Sequence, residues 1–221
     1  MNSRRGFIKS ILGSIAFLSA WLSPATLWIR SALAQTKRLV LPKSADPENL
    51  YSKDPDTLDT SNLAVTPIEN FKTMGKTTYP VTLQTWRFNV LGQVEEPLHL
   101  TYDQVLGLPS FEKNVLLICP GVFSYNGHWR GVVMKPLLDL AGADENATHI
   151  VFSGYNDSFT KEETFPIQEI KNNKVFLAYA VNGKKLPEKH GFPLRVVAED
   201  YYGDDWIKYV YEMKIIGAPT K

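Results

Sequence analysis

Five consecutive apolar residues, Val115-Leu116-Leu117-Ile118-Cys119, end abruptly at Pro120-Gly121. Side chains on a strand alternate in direction, so an unbroken apolar run of this length needs cover on both faces. Any fold this chain adopts must place that strand inside, with protein packed above and below it. Periodicity and turn residues predict further strands over 81–90, 98–100, 149–153, 174–180 and 194–198. A last strand is expected over 206–216, with Ile207, Tyr209, Tyr211, Met213 and Ile215 facing inward and Lys208, Glu212 and Lys214 outward. Asn182-Gly183 marks a tight hairpin. Two short helices complete the pattern. One opens on Thr101 with Gln104 three residues later, a capping box, and stops by Gly107. The other spans 136–141, with proline at its start and Gly142 past its end. Many strands and few short helices make a β-dominated α+β domain of mixed sheets.

Cysteine usage narrows the chemistry. The chain of 221 residues has one cysteine, Cys119, which excludes intrachain disulfides and multi-cysteine zinc or iron–sulfur sites. His99, His128 and His149 lack the spacing of a metal site. Cys119 ends the buried strand beside a glycine turn, where a side chain can face a cavity. Two readings stand on the residues alone: a small buried hydrophobe, or a nucleophile with His128 as base.

Net charge is +1, but it is unevenly spread. Arg4, Arg5, Lys9 and Arg30 give residues 1–34 four positive charges and no acid, leaving 20 Lys+Arg against 23 Asp+Glu beyond them from the totals of 24 and 23. The slightly acidic body argues against nucleic acid as a partner. The basic start, the apolar stretch 11–29 and the Ala32-Leu33-Ala34 exit describe an export signal over 1–34. Arg4-Arg5-Gly6-Phe7-Ile8-Lys9 resembles the twin-arginine motif, which implies the twin-arginine translocase as a partner and the periplasm as destination. That route carries folded proteins, a first hint of a cofactor taken up before export. Residues 35–63 are polar and proline-containing without apolar periodicity, and are expected to form an extended arm. The domain is expected over 64–221.

The words around Cys119 carry a resemblance. Cys119-Pro120-Gly121, Trp129-Arg130-Gly131-Val132 and Leu137-Leu138-Asp139-Leu140-Ala141-Gly142 follow one another in order. His190-Gly191-Phe192-Pro193-Leu194-Arg195-Val196-Val197, Tyr202-Gly203 and Ile207-Lys208 come later, and Thr66-Pro67-Ile68-Glu69-Asn70-Phe71 precedes them. Together they resemble the molybdopterin-binding domain of the sulfite oxidase superfamily, over about residues 64–217.

The resemblance implies that fold, Mo-molybdopterin as cofactor and Cys119 as the protein's sulfur ligand to the metal. A soft thiolate suits a metal already bound by the cofactor's own sulfurs. It further implies cofactor contacts at Asn70, Phe71, Lys72, Gly154, His190, Arg195, Trp206, Ile207 and Lys208, with Trp206 and Ile207 acting through backbone N–H groups and Lys208 as a point charge on the phosphate. Phe123, Tyr125, Tyr155 and Asp157 are expected on the substrate side.

The implied chemistry is two-electron oxygen-atom transfer. No haem-attachment motif or second redox centre is present, so a separate cytochrome or membrane haem protein is expected to exchange electrons with a monomeric chain. Sulfite oxidases resemble one another in an arginine four residues after the ligand cysteine; here that residue is Phe123. They also carry a C-terminal dimerisation domain that is not expected here. Sulfoxide reduction, as in periplasmic methionine-sulfoxide reductases, is favoured over sulfite oxidation. Pro120-Gly121 and Lys72-Thr73 nevertheless depart from the residues usual in those reductases. A molybdopterin-binding protein without independent catalysis and a thiol enzyme using Cys119 stand as alternatives.

Overall fold

The computed structural model describes residues 38–156 and 159–218. The expected export signal and Asp157 lie outside these residues. Twelve strands are described: β1 (Leu39–Val40), β2 (Leu58–Asp59), β3 (Phe88–Gly92), β4 (Leu98–Leu100), β5 (Ser110–Cys119), β6 (Phe123–Val132), β7 (His149–Asn156), β8 (Phe159–Pro166), β9 (Val175–Val181), β10 (Lys184–Lys185), β11 (Arg195–Ala198) and β12 (Val210–Ile216). Three short helices join them: α1 (Tyr102–Leu106), α2 (Met134–Leu140) and α3 (Ile167–Lys171). One sheet runs β10-β9-β6-β5, with β11 also on β9, and another runs β4-β3-β12-β7-β8. The pairing is mixed, since β3 and β12 are parallel while β7 and β12 are antiparallel. This is the β-dominated α+β arrangement expected from the sequence.

Strand β5 does what its apolar run demands. Val115 and Leu117 point into the main core, and Leu116 and Ile118 point into a second, smaller one. The second core is completed by Leu41, Leu50, Leu58 and Leu63. The polar segment after residue 37 is thus closely packed rather than a loose arm. Each buried leucine contributes about 1.5–3 kcal/mol of transfer free energy, enough to hold a segment whose remaining residues are solvated.

Local chemistry places the other elements. Thr101 and Gln104 form both arms of the capping box on α1. Asn182 and Gly183 take φ of 50° and 71°, the left-handed pair that a tight hairpin between β9 and β10 requires. Helix α2 starts two residues before the expected proline because Asn173 accepts the Met134 N–H, and Pro136 sits where no intrahelical partner is needed.

Two strand predictions are corrected. Residues 81–87 do not join the sheet: Thr82 O accepts the N–H groups of Thr85 and Trp86 in a turn, and pairing begins at Phe88. The final strand begins at Val210 rather than 206, because Tyr209 has φ 55° and the ladder to β7 slips between Val210 and Glu212. Strands β6 and β8 were not signalled by alternation.

Candidate active site

The site grows from the β5–β6 hairpin. Cys119 pairs with Phe123, and Leu117 with Tyr125, so these four side chains share one face at the hairpin's end. They line a cleft of about 260 Å³ whose other walls come from Lys72, Thr73, Met74, Gly75, Tyr155, Lys161, Arg195, Gly203, Asp204, Trp206, Ile207 and Lys208. The cleft therefore collects nine of the residues singled out from sequence: Lys72, Cys119, Phe123, Tyr125, Tyr155, Arg195, Trp206, Ile207 and Lys208.

The remaining four described residues stand behind its walls or beside them. Phe71 is buried, stacked on Tyr125 at 4.0 Å and edge-on to His190 at 5.6 Å. His190 is fully buried, and Asn70 is exposed outside the cleft. Gly154 serves the wall rather than its inner surface. A Cβ there would stand 2.3 Å from Ile207 Cγ2 and 2.4 Å from the Lys208 carbonyl oxygen, so only glycine lets β7 support that segment.

Several buried polar groups converge here without protein partners. Neither ring nitrogen of His190 is hydrogen-bonded, nor is Arg195 Nε or Trp206 Nε1. The Arg195 guanidinium packs against the edge-to-face pair of Trp129 and Trp206, 5.0 and 5.2 Å from their centroids, and donates one N–H to the His190 carbonyl at 3.1 Å. Burial first, then Arg195, Lys189 and Lys208, push the His190 imidazole down to about 3. A buried donor without a partner costs about 1–3 kcal/mol. Arg195 and Trp206 line the cleft and His190 lies behind its wall, so a polar ligand in the cleft would offset part of this cost. The Trp206 backbone N–H is occupied by Gly203 O, so it is the indole N–H of Trp206 that faces the seat unpaired.

Lys208 reaches a strap formed by residues 72–76. Its ammonium donates to Met74 O at 2.9 Å, to Thr73 Oγ1 at 3.1 Å and to Lys76 O. Met74 Sδ lies 3.2 Å from Cys119 Sγ. Burial, and then the Asp204 carboxylate, push the Cys119 thiol above its ordinary pKa. A raised thiol is a poor nucleophile at neutral pH. The base of the alternative thiol mechanism is also out of reach. Asn114 pairs with His128 and Cys119 with Phe123, five positions along the same ladder, or about 17 Å at 3.3–3.4 Å per residue. His128 instead bonds Asn114 and Glu112.

Sequence reasoning missed Thr73, Met74, Gly75, Leu117, Lys161, Gly203 and Asp204. Leu117 was within reach, two positions before Cys119 on the same face. Asp204 is exposed, yet it lines the cleft. Lys161, on an edge strand, donates to the Asp204 backbone carbonyl, and no local signal announces that contact.

The model of the oxidoreductase molybdopterin binding domain matches residues 75–221. The uncharacterized oxidoreductase YuiH of Bacillus subtilis is 30% identical over 129 residues, covering 58% of this chain and 64% of YuiH. The protein-methionine-sulfoxide reductase catalytic subunit MsrP of Gluconobacter oxydans is 26% identical over 159 residues, covering 65% of this chain and 50% of MsrP. Among solved structures, the sulfane dehydrogenase SoxCD of Paracoccus pantotrophus superposes with a TM-score of 0.57 over 94% of this chain and 56% of that one, at 21% identity. That last likeness is one of fold. The chain spans less than two thirds of each of these proteins.

Proposed function

Because the chain belongs to the oxidoreductase molybdopterin binding domain family, in the sulfite oxidase superfamily, we propose that its cleft holds Mo-molybdopterin and works as an oxygen-atom-transfer site, with sulfoxide-type reduction favoured. The observation that carries this reading is the meeting of Cys119 with the unpartnered, buried donors of Arg195 and Trp206 in one cleft, with the unpartnered imidazole of His190 buried behind its wall. These residues fit the group. An anionic phosphate arm calls for fixed cations and N–H donors, and Arg195, Lys208 and the indole of Trp206 provide them. His190 can accept or donate there according to its tautomer. Cys119 supplies the soft ligand, and coordination removes the proton that burial and Asp204 hold on the free thiol. When bound, the cofactor supplies two-electron oxygen-atom exchange.

The chain's own residues set what approaches it. Phe123, Leu117, Met74 and Tyr155 make the substrate side apolar, and Asp204 adds a negative charge. An oxyanion would need a cation in that space. Each cation in the walls is engaged: Arg195 is buried against two indoles, Lys161 is drawn to Asp204 O and to Glu163 at 3.4 Å, Lys208 holds the strap, and Lys72 lies 3.7 Å from Glu48. A neutral sulfoxide suits such a wall better than sulfite does. Relatives named as methionine-sulfoxide reductase catalytic subunits point the same way. Export by the twin-arginine route to the periplasm and a separate haem or cytochrome electron partner belong to this reading.

The test is metal analysis of the protein purified from a cofactor-competent host, followed by dye-coupled turnover. About one molybdenum per chain is expected, lost in Cys119→Ser, with reduction of sulfoxides exceeding oxidation of sulfite. A metal-free wild-type protein, or turnover of sulfite alone, overturns the proposal.

A further inference from the structure

Three methionines lie among the described residues. Met134 and Met213 are fully buried, whereas Met74 is 56% exposed. An oxidant in solution therefore meets one thioether in this part of the chain, and that thioether is the one whose sulfur lies 3.2 Å from Cys119 Sγ. The strap that carries it is tied down. Lys208 donates to the carbonyl oxygens of Met74 and Lys76 and to Thr73 Oγ1, and the Tyr209 hydroxyl donates to Lys76 O at 3.2 Å. Gly75, at φ 67°, makes the left-handed turn that brings the strap back after Met74. The thioether is thus held beside Cys119 in the lining of a cleft it shares with the apolar Leu117 and Phe123.

We propose that Met74 is a tethered substrate: once oxidised to its sulfoxide, it is reduced in cis by the site it covers. The proposal rests on the reading of the cleft as a sulfoxide-reducing site. In this step the S=O bond of Met74 sulfoxide breaks and its oxygen leaves as water. Two protons come from solvent and one electron from each of two equivalents of a reduced one-electron carrier, and the thioether is restored. The tether replaces a bimolecular encounter by an intramolecular one, which favours this methionine over any free sulfoxide at low concentration. Oxidation would put a polar, chiral group into that lining, so repair restores the cleft to its resting chemistry.

The cofactor-loaded full chain is treated with hydrogen peroxide, freed of it and given reduced methyl viologen. Peptide mass spectrometry then follows the oxygen on Met74. Loss of the sulfoxide with a half-time unchanged by tenfold dilution is expected. In a mixture with a heavy-isotope-labelled Cys119→Ser chain, oxidised in the same way, the labelled Met74 is expected to stay oxidised. Equal repair of the labelled chain shows reduction in trans and overturns the proposal. Persistence of Met74 sulfoxide while free methionine sulfoxide is turned over overturns it alone. Failure to reduce either overturns the reading of the cleft together with it. A second measurement needs no cofactor: Met74→Ala is expected to raise the rate of Cys119 alkylation by iodoacetamide severalfold in the cofactor-free chain. An unchanged rate refutes the contact on which the proposal stands.

Discussion

His190 offers a quantitative test of the site's electrostatics. It is fully buried, both ring nitrogens lack partners, and its pKa is pushed down to about 3, first by burial and then by Arg195, Lys189 and Lys208. In the unfolded chain it returns to about 6.5. The folded form therefore resists the proton that the unfolded form accepts. Stability from this group is fully present above about pH 6.5 and is lost as pH falls from there towards about 3. The slope reaches about 1.4 kcal/mol per pH unit, for a total on the order of 5 kcal/mol. Glu163 and Asp205, raised chiefly by burial, act in the opposite sense. The comparison is thus between the cofactor-free wild type and His190→Gln. Urea unfolding at steps from pH 7 to 4 is expected to show the wild type losing its advantage as pH falls, with the variant's profile flatter by the histidine's share. Imidazole proton shifts, followed by NMR, are expected to show no titration of His190 near 6.5. A midpoint at 6.5, or parallel pH profiles for the two proteins, refutes the claim of a buried neutral imidazole beside three cations. In the cofactor-loaded protein an anion beside the ring raises the value again, and the pH dependence shrinks.

Gly154→Ala forces a Cβ to within 2.4 Å of the Lys208 carbonyl, which must give way by about 1 Å; overpacking of this kind costs about 1–3 kcal/mol. Thermal unfolding of the cofactor-free chain and molybdenum retention in the loaded one are both expected to fall, whereas Gly107→Ala, whose Cβ meets only ordinary contacts, leaves both unchanged. Asp200 is gripped by Arg38 at 2.6 and 2.8 Å and by Lys174 at 2.8 Å, and these partners outweigh burial to hold its carboxyl below the usual range. Asp200→Asn is expected to cost about 1–3 kcal/mol at neutral pH. The difference disappears as pH falls below about 4, through the depressed value, in urea titrations. Leu58→Ala removes a buried side chain from the second core and is expected to cost about 2–5 kcal/mol in the same assay; a loss below half a kcal/mol refutes the packing of the segment that precedes the domain core.

What could be read from sequence follows a physical divide. The double-sided burial of β5 was legible because an apolar run has one good solution. What covers its outer face was not, because Leu41, Leu50, Leu58 and Leu63 have no common period. Strand β6 was hidden by Ser124, Asn126 and His128, polar residues satisfied only by distant partners at Pro47, Leu63 and Asn114. Strand β8 carries Lys161, Glu162 and Glu163 in a row, as an edge strand can. The last strand's alternation was real over Met213 and Ile215 but broke at Tyr209, where a left-handed residue turns Lys208 towards the strap. In the cleft, residues near Cys119 on the same hairpin were accessible to strand periodicity. Met74, Lys161 and Asp204 arrive from other parts of the chain, and only tertiary packing assembles them.

The place of β12 in its sheet has a consequence for the cleft. It follows every other described strand in the sequence, yet it lies between β3 and β7 in the middle of the order β4-β3-β12-β7-β8. Without it, β3 and β7 have no common partner, and the segment bearing Ile207 and Lys208, held by the Val196 N–H and by the strap, loses its continuation into the sheet. The β5–β6 hairpin, whose ladder does not involve β12, can present Cys119 on its own. The two sides of the cleft thus depend on different sheets, and damage to β12 is felt on the wall opposite Cys119 rather than at Cys119 itself.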